Sequence, residues 1–191
     1  MPRAGLSTET VVETAAQIVD EVGWEQLSLA NLAERLGVKP PSLYEHVAGL
    51  EGLREALRLR GLRSMESQFR RAVTGRSRDN AVFALANEFR NFIREHPALY
   101  QATVKSPEKS SEEDQKTANE ILEIIYAVLD SYGIRDEEAV HAARYLRSVL
   151  HGFSSLEAAG GFGLPIDVDE SYQRAIQILT SDLKRWSRQK A

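Results

Sequence analysis

The chain has 191 residues, of which 42% are hydrophobic and 27% are charged, and it contains no cysteine. This composition is typical of a folded protein with a sizeable core, and it excludes a disulfide framework, a thiolate metal site and a cysteine nucleophile. Because the sequence has no run of about 18 apolar residues and no signal-peptide pattern, we expect no membrane segment and a cytoplasmic location.

The formal net charge of −4 hides an uneven distribution of charge along the chain. Residues 54–78 carry eight arginines and two glutamates, a net charge of +6. Residues 1–53 (three basic, eight acidic) and 79–191 (13 basic, 18 acidic) are each −5. A basic stretch of this kind is either a solvated helical face or a surface that meets a polyanion, and the sequence leaves both interpretations open.

Apolar residues recur at three- and four-residue steps along most of the chain, which predicts an all-α fold of about nine helices. The predicted helices begin at or near Ser7, Ser28, Pro41, Gly52, Ser77, Ala98, Ser110, Asp136 and Asp167. We expect an N-terminal helix-turn-helix domain over residues 1–52 and a larger helical domain over 53–191. The helix over about 52–73 links the two domains.

The first three predicted helices have the spacing of a helix-turn-helix. Ala33 is small where two helices cross, and Gly37, four residues later, can take the left-handed conformation that ends a helix. Pro40 and Pro41 fall at the start of the following helix, where the first amide groups have no intrahelical partner. The two prolines therefore start a short helix and do not interrupt a longer one.

This short helix, roughly Pro41–Val47, exposes polar side chains that a small core does not need. Its apolar positions form a narrow buried stripe, which leaves Ser42, Tyr44 and His46 on the outer face. A hydroxyl, a phenol and an imidazole suit phosphate oxygens and base edges in the major groove of DNA. Although an ordinary polar surface is the alternative, the group as a whole favours a recognition helix.

The residues around this helix resemble a known family. Residues 8–57, and above all LAERLGVKPPSLYEHVAGLEGLREAL, resemble the DNA-binding domain of TetR-type transcriptional regulators. LHGFSSLEAAGGFGLP, at 150–165, resembles the family's WHG-type C-terminal domains. The resemblance implies a homodimer, most often a repressor, that binds a pseudo-palindromic DNA operator and is released by a small-molecule effector. We expect no cofactor.

The resemblance also implies which residues contact DNA: Ser28, Lys39, Pro40, Pro41, Ser42, Tyr44 and His46. Of these, residues 39–42 would mainly read the bases. Many family members have a phosphate-binding lysine at the start of the fourth helix, where this chain has Leu50 followed by Glu51. Arg54 or Arg58 is the expected substitute. Because Glu45 and Glu51 make the domain acidic, we expect weak non-specific binding with a modest salt dependence.

The C-terminal helices are expected to provide a dimer contact and an effector pocket. The candidate dimer residues, for which burial in the protomer's own core is the alternative, are Leu146, Leu150, Phe153, Ile176, Leu179 and Leu183. The candidate pocket residues, for which plain core is the alternative, are Phe89, Phe92, Tyr100, Val104, Leu122, Ile125, Tyr126, Leu129, Tyr145 and Val149. Their composition favours an apolar or aromatic effector.

Two other functional classes are compatible with parts of the sequence. Glu137, His141 and His151 share one predicted helix and could bind a metal ion in a helical enzyme. Ten residues of helix, however, place the two histidines about 15 Å apart. A helical protein-binding module that has lost DNA binding is the other alternative. We expect a DNA-binding regulator and not an enzyme.

Overall fold

The computed structural model describes residues 6–104 and 111–188. Within those ranges the chain forms helices and no strand, which confirms the all-α prediction. The α-helices are α1 (Thr8–Val22), α2 (Leu29–Leu36), α3 (Gly49–Val73), α4 (Arg78–Glu95), α5 (Pro97–Val104), α6 (Glu112–Asp130), α7 (Asp136–Ala158) and α8 (Val168–Arg188). Two 3₁₀ helices also occur, Trp24–Gln26 and Pro40–Glu45, and the second is named the recognition segment.

Side-chain caps determine where several helices begin. Ser7, Ser28 and Asp167 each accept a backbone N–H from the first turn of α1, α2 and α8, as the sequence predicts. Ser111 does the same for α6. The predicted capping box of α6 begins at Ser110, which lies outside the described residues.

The chain divides into two compact units. The first contains the described residues up to Arg63 together with those between His96 and Gln115, and the second contains the others. The helices α3 and α6 each contribute residues to both units. The domain boundary predicted at residue 52 falls in the first turn of α3 and stays a prediction.

In the first unit, α5 is held against α1 by side-chain hydrogen bonds. The indole N–H of Trp24 donates to the carbonyl of Ala98 at 2.7 Å. Asp20 on α1 accepts the backbone N–H of Leu99 at 3.2 Å, and its other carboxylate oxygen lies 3.0 Å from Nδ1 of His96. The first helix of the predicted DNA-binding domain, α1, is therefore joined to α5.

In the second unit, α4 packs against α7 and α8 around a buried cation. Arg90 forms a two-pronged ion pair with Glu157 at 2.5 and 2.6 Å and reaches Asp169 at 2.7 Å. Its guanidinium also lies 4.6 Å from the ring centre of Tyr172. The hydrogen bond to Glu157 raises the pKa of Arg90 further above its ordinary value, so this residue stays charged.

Five of the six residues predicted to form the dimer contact are core residues of this second unit. Five of them are at most 3% exposed within one protomer: Leu146, Leu150, Ile176, Leu179 and Leu183. The sixth, Phe153, packs its ring 5.0 Å from that of Tyr172. The five aliphatic side chains build the protomer's own core, which is the alternative that the sequence left open for them. Phe153 is only half-buried, so its contact with a partner stays a prediction. A partner has to contact the outward faces of these helices.

Candidate nucleic-acid interface

The turn before the recognition segment is specified by its own residues. Gly37 takes the left-handed conformation, with φ 67° and ψ 30°, and ends α2. The N–H of Val38 then bonds back to the carbonyl of Ala33 at 2.9 Å. Lys39 is extended, with φ −85° and ψ 144°, as a residue before proline prefers. This geometry confirms the predicted turn.

The recognition segment is a 3₁₀ helix and not the α-helix that the sequence predicted. Its backbone bonds join residues three apart: the N–H of Ser42 donates to Lys39 at 3.0 Å, and that of His46 donates to Leu43 at 2.9 Å. The two prolines lack N–H groups, and a segment this short offers few four-residue bonds in their place. The element is therefore tighter than an α-helix, while its position agrees with the prediction.

One side of the recognition segment is buried and the other is exposed. Leu43 and Val47 anchor it in the core of the first unit. Five of the exposed side chains are named the recognition surface: Lys39, Pro40, Pro41, Ser42 and Tyr44. Glu45 is also exposed. Tyr44 is 63% exposed, which is unusual for a large aromatic residue. The structure thus brings five predicted DNA-contacting residues together on one accessible segment.

Two other predicted contact residues, Ser28 and His46, lie at the ends of neighbouring elements. The hydroxyl oxygen of Ser28 accepts the N–H of Asn31 at 3.1 Å, so Ser28 caps α2 while its own O–H remains able to donate. The start of α2 also carries the positive end of the helix dipole, which favours a phosphate. His46 is half-buried, and its Nδ1 lies 3.4 Å from the hydroxyl of Thr8 in α1.

The two arginines expected to replace the missing lysine differ in their surroundings. Arg54 is exposed and forms an ion pair with Glu51 at 2.6 Å. The side chains of Arg58 and Asp114 are only 13% and 5% exposed, and they pair at 3.3 Å. The expectation that Arg58 can bind a phosphate is therefore wrong, because its guanidinium is buried against a carboxylate. Arg54 stays a candidate.

The basic stretch at 54–78 is largely neutralised by ion pairs. Besides Arg54 and Arg58, three of its arginines pair with carboxylates: Arg60 with Glu13, Arg63 with Glu113 and Arg70 with Glu66. These contacts favour neither a solvated helical face nor a surface for a polyanion, because carboxylates within the fold neutralise most of the positive charge. Lys39 is the cation that the recognition surface itself carries.

The predicted effector-pocket residues belong to both compact units. Tyr100 and Val104 lie in the first unit, and the other eight lie in the second. Phe92 and Leu129 are fully buried, whereas Leu122 on α6 is exposed. The pocket stays a prediction.

Tyr145, one of these predicted pocket residues, makes specific contacts with α8. Its hydroxyl donates to Asp182 at 2.6 Å, and its ring centre lies 6.1 Å from that of Trp186. The hydrogen bond to Asp182 raises the pKa of Tyr145 to about 12. The phenol is thus neutral near pH 7 and is held by α8, and its place in the effector pocket stays a prediction.

Neither a metal cluster nor a membrane-spanning helix occurs in the ranges 6–104 and 111–188. No group of three or more His, Asp or Glu side chains there is placed to hold a metal ion. Nε2 of His141 lies 3.9 Å from Glu137, and Nδ1 of His151 lies 3.2 Å from the hydroxyl of Ser155. No helix in those ranges combines the length and apolar character that crossing a membrane requires.

A cleft between α7 and α8 was missed by the sequence analysis. This loop cleft has a volume of about 360 Å³, and its lining is mostly apolar: Phe153, Gly161, Phe162, Gly163, Leu164, Ile166, Val168 and Ser171. The sequence marked residues 160–165 only as the end of a helix. The signal that could have found the cleft is the run of large apolar residues among the glycines and proline of this loop.

Comparisons with known proteins agree on one group of relatives. Residues 82–179 match the family model described as "Tetracyclin repressor-like, C-terminal domain". The chain is 37% identical over 183 residues to the uncharacterized HTH-type transcriptional regulator Rv0681 of Mycobacterium tuberculosis, covering 95% of this chain and 84% of that protein. It is also 37% identical over 184 residues to the uncharacterized HTH-type transcriptional regulator YobS of Bacillus subtilis, covering 95% of each.

A solved structure shares the fold at lower sequence identity. The Streptomyces coelicolor TetR family protein ActR, crystallised in complex with (S)-DNPA, superposes with a TM-score of 0.67 at 19% identity. The match covers 96% of this chain and all of that one.

Proposed function

Since the chain belongs to the TetR family of helix-turn-helix transcriptional regulators, we propose that it is a repressor that binds a pseudo-palindromic operator as a homodimer and is released by a small-molecule effector. As a member of this family it is a DNA-binding regulator and not an enzyme. The observation that carries the proposal is the recognition surface, which exposes a cation, a hydroxyl and a phenol on a helix-turn-helix. The WHG type of its C-terminal domain stays a prediction.

The recognition surface divides the proposed DNA contacts between base reading and phosphate binding. Lys39 and Ser42 have donors that suit base edges in the major groove, with Lys39 favouring guanine. The exposed ring of Tyr44 offers an apolar contact to a thymine methyl, and its hydroxyl can reach a phosphate. Ser28 at the start of α2 and His46 at the end of the recognition segment bind phosphates on either side.

Operator binding by this head relies on specific contacts more than on charge. Most arginines near the recognition surface are paired with carboxylates, and Arg54 has to leave Glu51 before it can bind a phosphate. A protein that neutralises few phosphates shows a shallow dependence of affinity on salt. The proposal therefore includes weak non-specific binding and a high ratio of specific to non-specific affinity.

The dimer is proposed to form through the outward faces of α7 and α8. The inward faces of both helices are used by the core, whereas Ile178 on α8 is 60% exposed. A two-fold dimer would present two recognition surfaces about 34–36 Å apart, or a multiple of that distance, along one face of DNA. The pseudo-palindromic operator follows from this symmetry.

Effector control is proposed from the C-terminal match together with the structural neighbour. ActR was crystallised with (S)-DNPA, and the chain shares its fold. The candidate residues for effector binding are the predicted pocket residues of the second unit: Phe89, Phe92, Leu122, Ile125, Tyr126, Leu129, Tyr145 and Val149. Their mainly apolar and aromatic side chains favour an apolar or aromatic effector.

Footprinting tests the proposed operator. The DNA upstream of the coding region is titrated with purified protein and cleaved with DNase. We expect protection of two symmetry-related half-sites whose centres lie about 10 base pairs, or a multiple, apart. Protection of one unpaired half-site at every concentration would contradict binding as a dimer. Loss of the footprint on adding an apolar or aromatic compound would identify an effector.

A further inference from the structure

The loop between α7 and α8 exposes an unusual concentration of large apolar side chains. Three loop residues, Phe162 (39% exposed), Leu164 (79%) and Ile166 (67%), are named the loop patch together with Leu156 in the last turn of α7 (54%). Single exposed apolar residues are common on protein surfaces, whereas a contiguous apolar group marks a surface that another molecule covers. We therefore expect another molecule to cover the loop patch.

The loop patch combines protruding side chains with a depression. Phe162, Leu164 and Ile166 also line the loop cleft, whose wall includes Phe153 and Val168. The rings of Phe153 and Phe162 lie 4.8 Å apart and close one side of the cleft. A surface that carries both a projection and a recess of matching apolar character can pair with a copy of itself about a two-fold axis.

The ends of the loop are held in place by two ion pairs to the buried Arg90. Glu157 in the last turn of α7 and Asp169 in the first turn of α8 both bind Arg90 of α4. The two carboxylates exceed the single positive charge of Arg90 by one, and the side chain of Asp169 is 72% exposed. The loop is thus fixed at both ends, with one net negative charge from this cluster at the start of α8.

The loop patch is continuous with the outward face of α8. Ser171 lines the loop cleft, and the exposed Ile178 follows it by seven residues, or about two helical turns. The two residues therefore lie on the same face of α8. An occupant that extends from the cleft along α8 would cover Ile178 as well, and this is the helix face already proposed for pairing.

We infer that a second copy of this chain covers the loop patch, so that apolar side chains from the loop of each protomer, Leu164 foremost, enter the loop cleft of the other. The inference rests on the dimer of the proposed function and assigns the α7–α8 loop as part of its interface. The continuity of the patch with the face of α8 proposed for pairing favours a second copy over an unrelated protein or a small molecule.

Sedimentation equilibrium of the full chain tests this assignment. Leu164→Glu and Ile166→Glu are compared with the wild type, and Val22→Glu on α1 is the control because it also replaces an exposed aliphatic residue, one to which no binding role is assigned. We expect each loop variant to weaken the dimer roughly 30-fold or more, the effect of losing a central apolar contact, while the control keeps the wild-type constant. Circular dichroism should show unchanged helicity, since both loop side chains are exposed.

The possible outcomes separate the two proposals. A dimeric wild type whose loop variants dimerise equally well would overturn the inference and leave the proposed dimer standing. A monomeric wild type would overturn both. Equal weakening by Val22→Glu would also overturn the inference, because added charge alone would then be responsible. If the wild-type dimer binds 1-anilinonaphthalene-8-sulfonate at one site per chain and Leu164→Glu removes that site, the patch is open to small apolar molecules and not covered by a partner.

Discussion

Tyr44 is the residue whose position says most about DNA binding. It contributes almost nothing to the core, because its neighbours Leu43 and Val47 provide the buried anchor. Its conformation is set by a rigid 3₁₀ turn that begins with two prolines, so the ring is presented with little entropy to lose on binding. An exposed aromatic residue on a fixed turn fits a contact role better than a packing role.

Tyr44→Ala should abolish specific operator binding while helicity and dimer mass stay unchanged. The reason is that the side chain acts at the interface and leaves the core intact. Fluorescence anisotropy with operator DNA measures the loss, and Val22→Ala is the control because Val22 is an exposed apolar residue of the same unit. A fully active Tyr44→Ala protein would refute the assigned role.

Glu51 and Arg54 offer a test of the electrostatic account. Glu51→Gln removes the carboxylate that pairs with Arg54 at 2.6 Å and leaves the guanidinium available to a phosphate. We expect tighter non-specific binding and a plot of log affinity against log salt that is steeper by about one unit. Arg54→Gln should not steepen the plot. An unchanged slope in Glu51→Gln would mean that Arg54 does not reach DNA.

At the level of elements, α3 and α5 approach each other closely at a glycine. A Cβ on Gly61 would lie 2.8 Å from Cγ2 of Thr103 and 3.5 Å from the side chain of Leu99. Thr103 cannot easily turn away, because it is buried and its hydroxyl donates to the carbonyl of Tyr100 at 2.8 Å. The absence of a side chain at residue 61 therefore has a structural reason within the first unit.

Gly61→Ala should lower the free energy of unfolding by about 1–2 kcal/mol through overpacking. Gly152→Ala provides the matched control, because a Cβ at that position of α7 meets nothing within 4 Å. There we expect a gain of about 0.5–1 kcal/mol from the better helix former. Urea unfolding of both variants measures the difference, and equal effects would show that the close contact does not matter.

Helix positions could be predicted from the sequence because their determinants are local. Ser7, Ser28 and Asp167 cap the helices they were expected to cap, and Gly37 ends α2 in the left-handed conformation. The helix type of the recognition segment was not predictable in the same way. It depends on how few hydrogen-bond donors remain after two prolines, which the apolar periodicity does not report.

At the level of the whole molecule, the sequence could not show whether the apolar faces of α7 and α8 are buried within their own protomer or against a second one. The period along α7 and α8 correctly marks Leu150 and Leu179 as buried, but burial by α4 and burial by a second protomer give the same pattern. Ion pairs such as Arg58 with Asp114 join residues far apart in sequence. The basic stretch therefore looked available although the fold neutralises most of it.

The corrected position of the core changes how the dimer should be tested. Leu179 is fully buried, so Leu179→Asp would unfold the protomer, whereas its neighbour Ile178 is exposed. Ile178→Glu should therefore shift sedimentation toward the monomer and weaken operator binding with it, because half-sites bind poorly alone. Circular dichroism checks that the helices persist. Wild-type mass in this variant would move the dimer surface away from this face of α8.

The central claim is that the recognition surface reads a specific DNA sequence. Fluorescence anisotropy of the purified chain, with DNA from upstream of its coding region and unrelated DNA across a salt series, tests the claim most directly. The account predicts saturable nanomolar binding that exceeds binding to the control by about a thousandfold or more, with a shallow dependence on salt. Equally weak binding to both DNAs, with a steep dependence on salt, would contradict it.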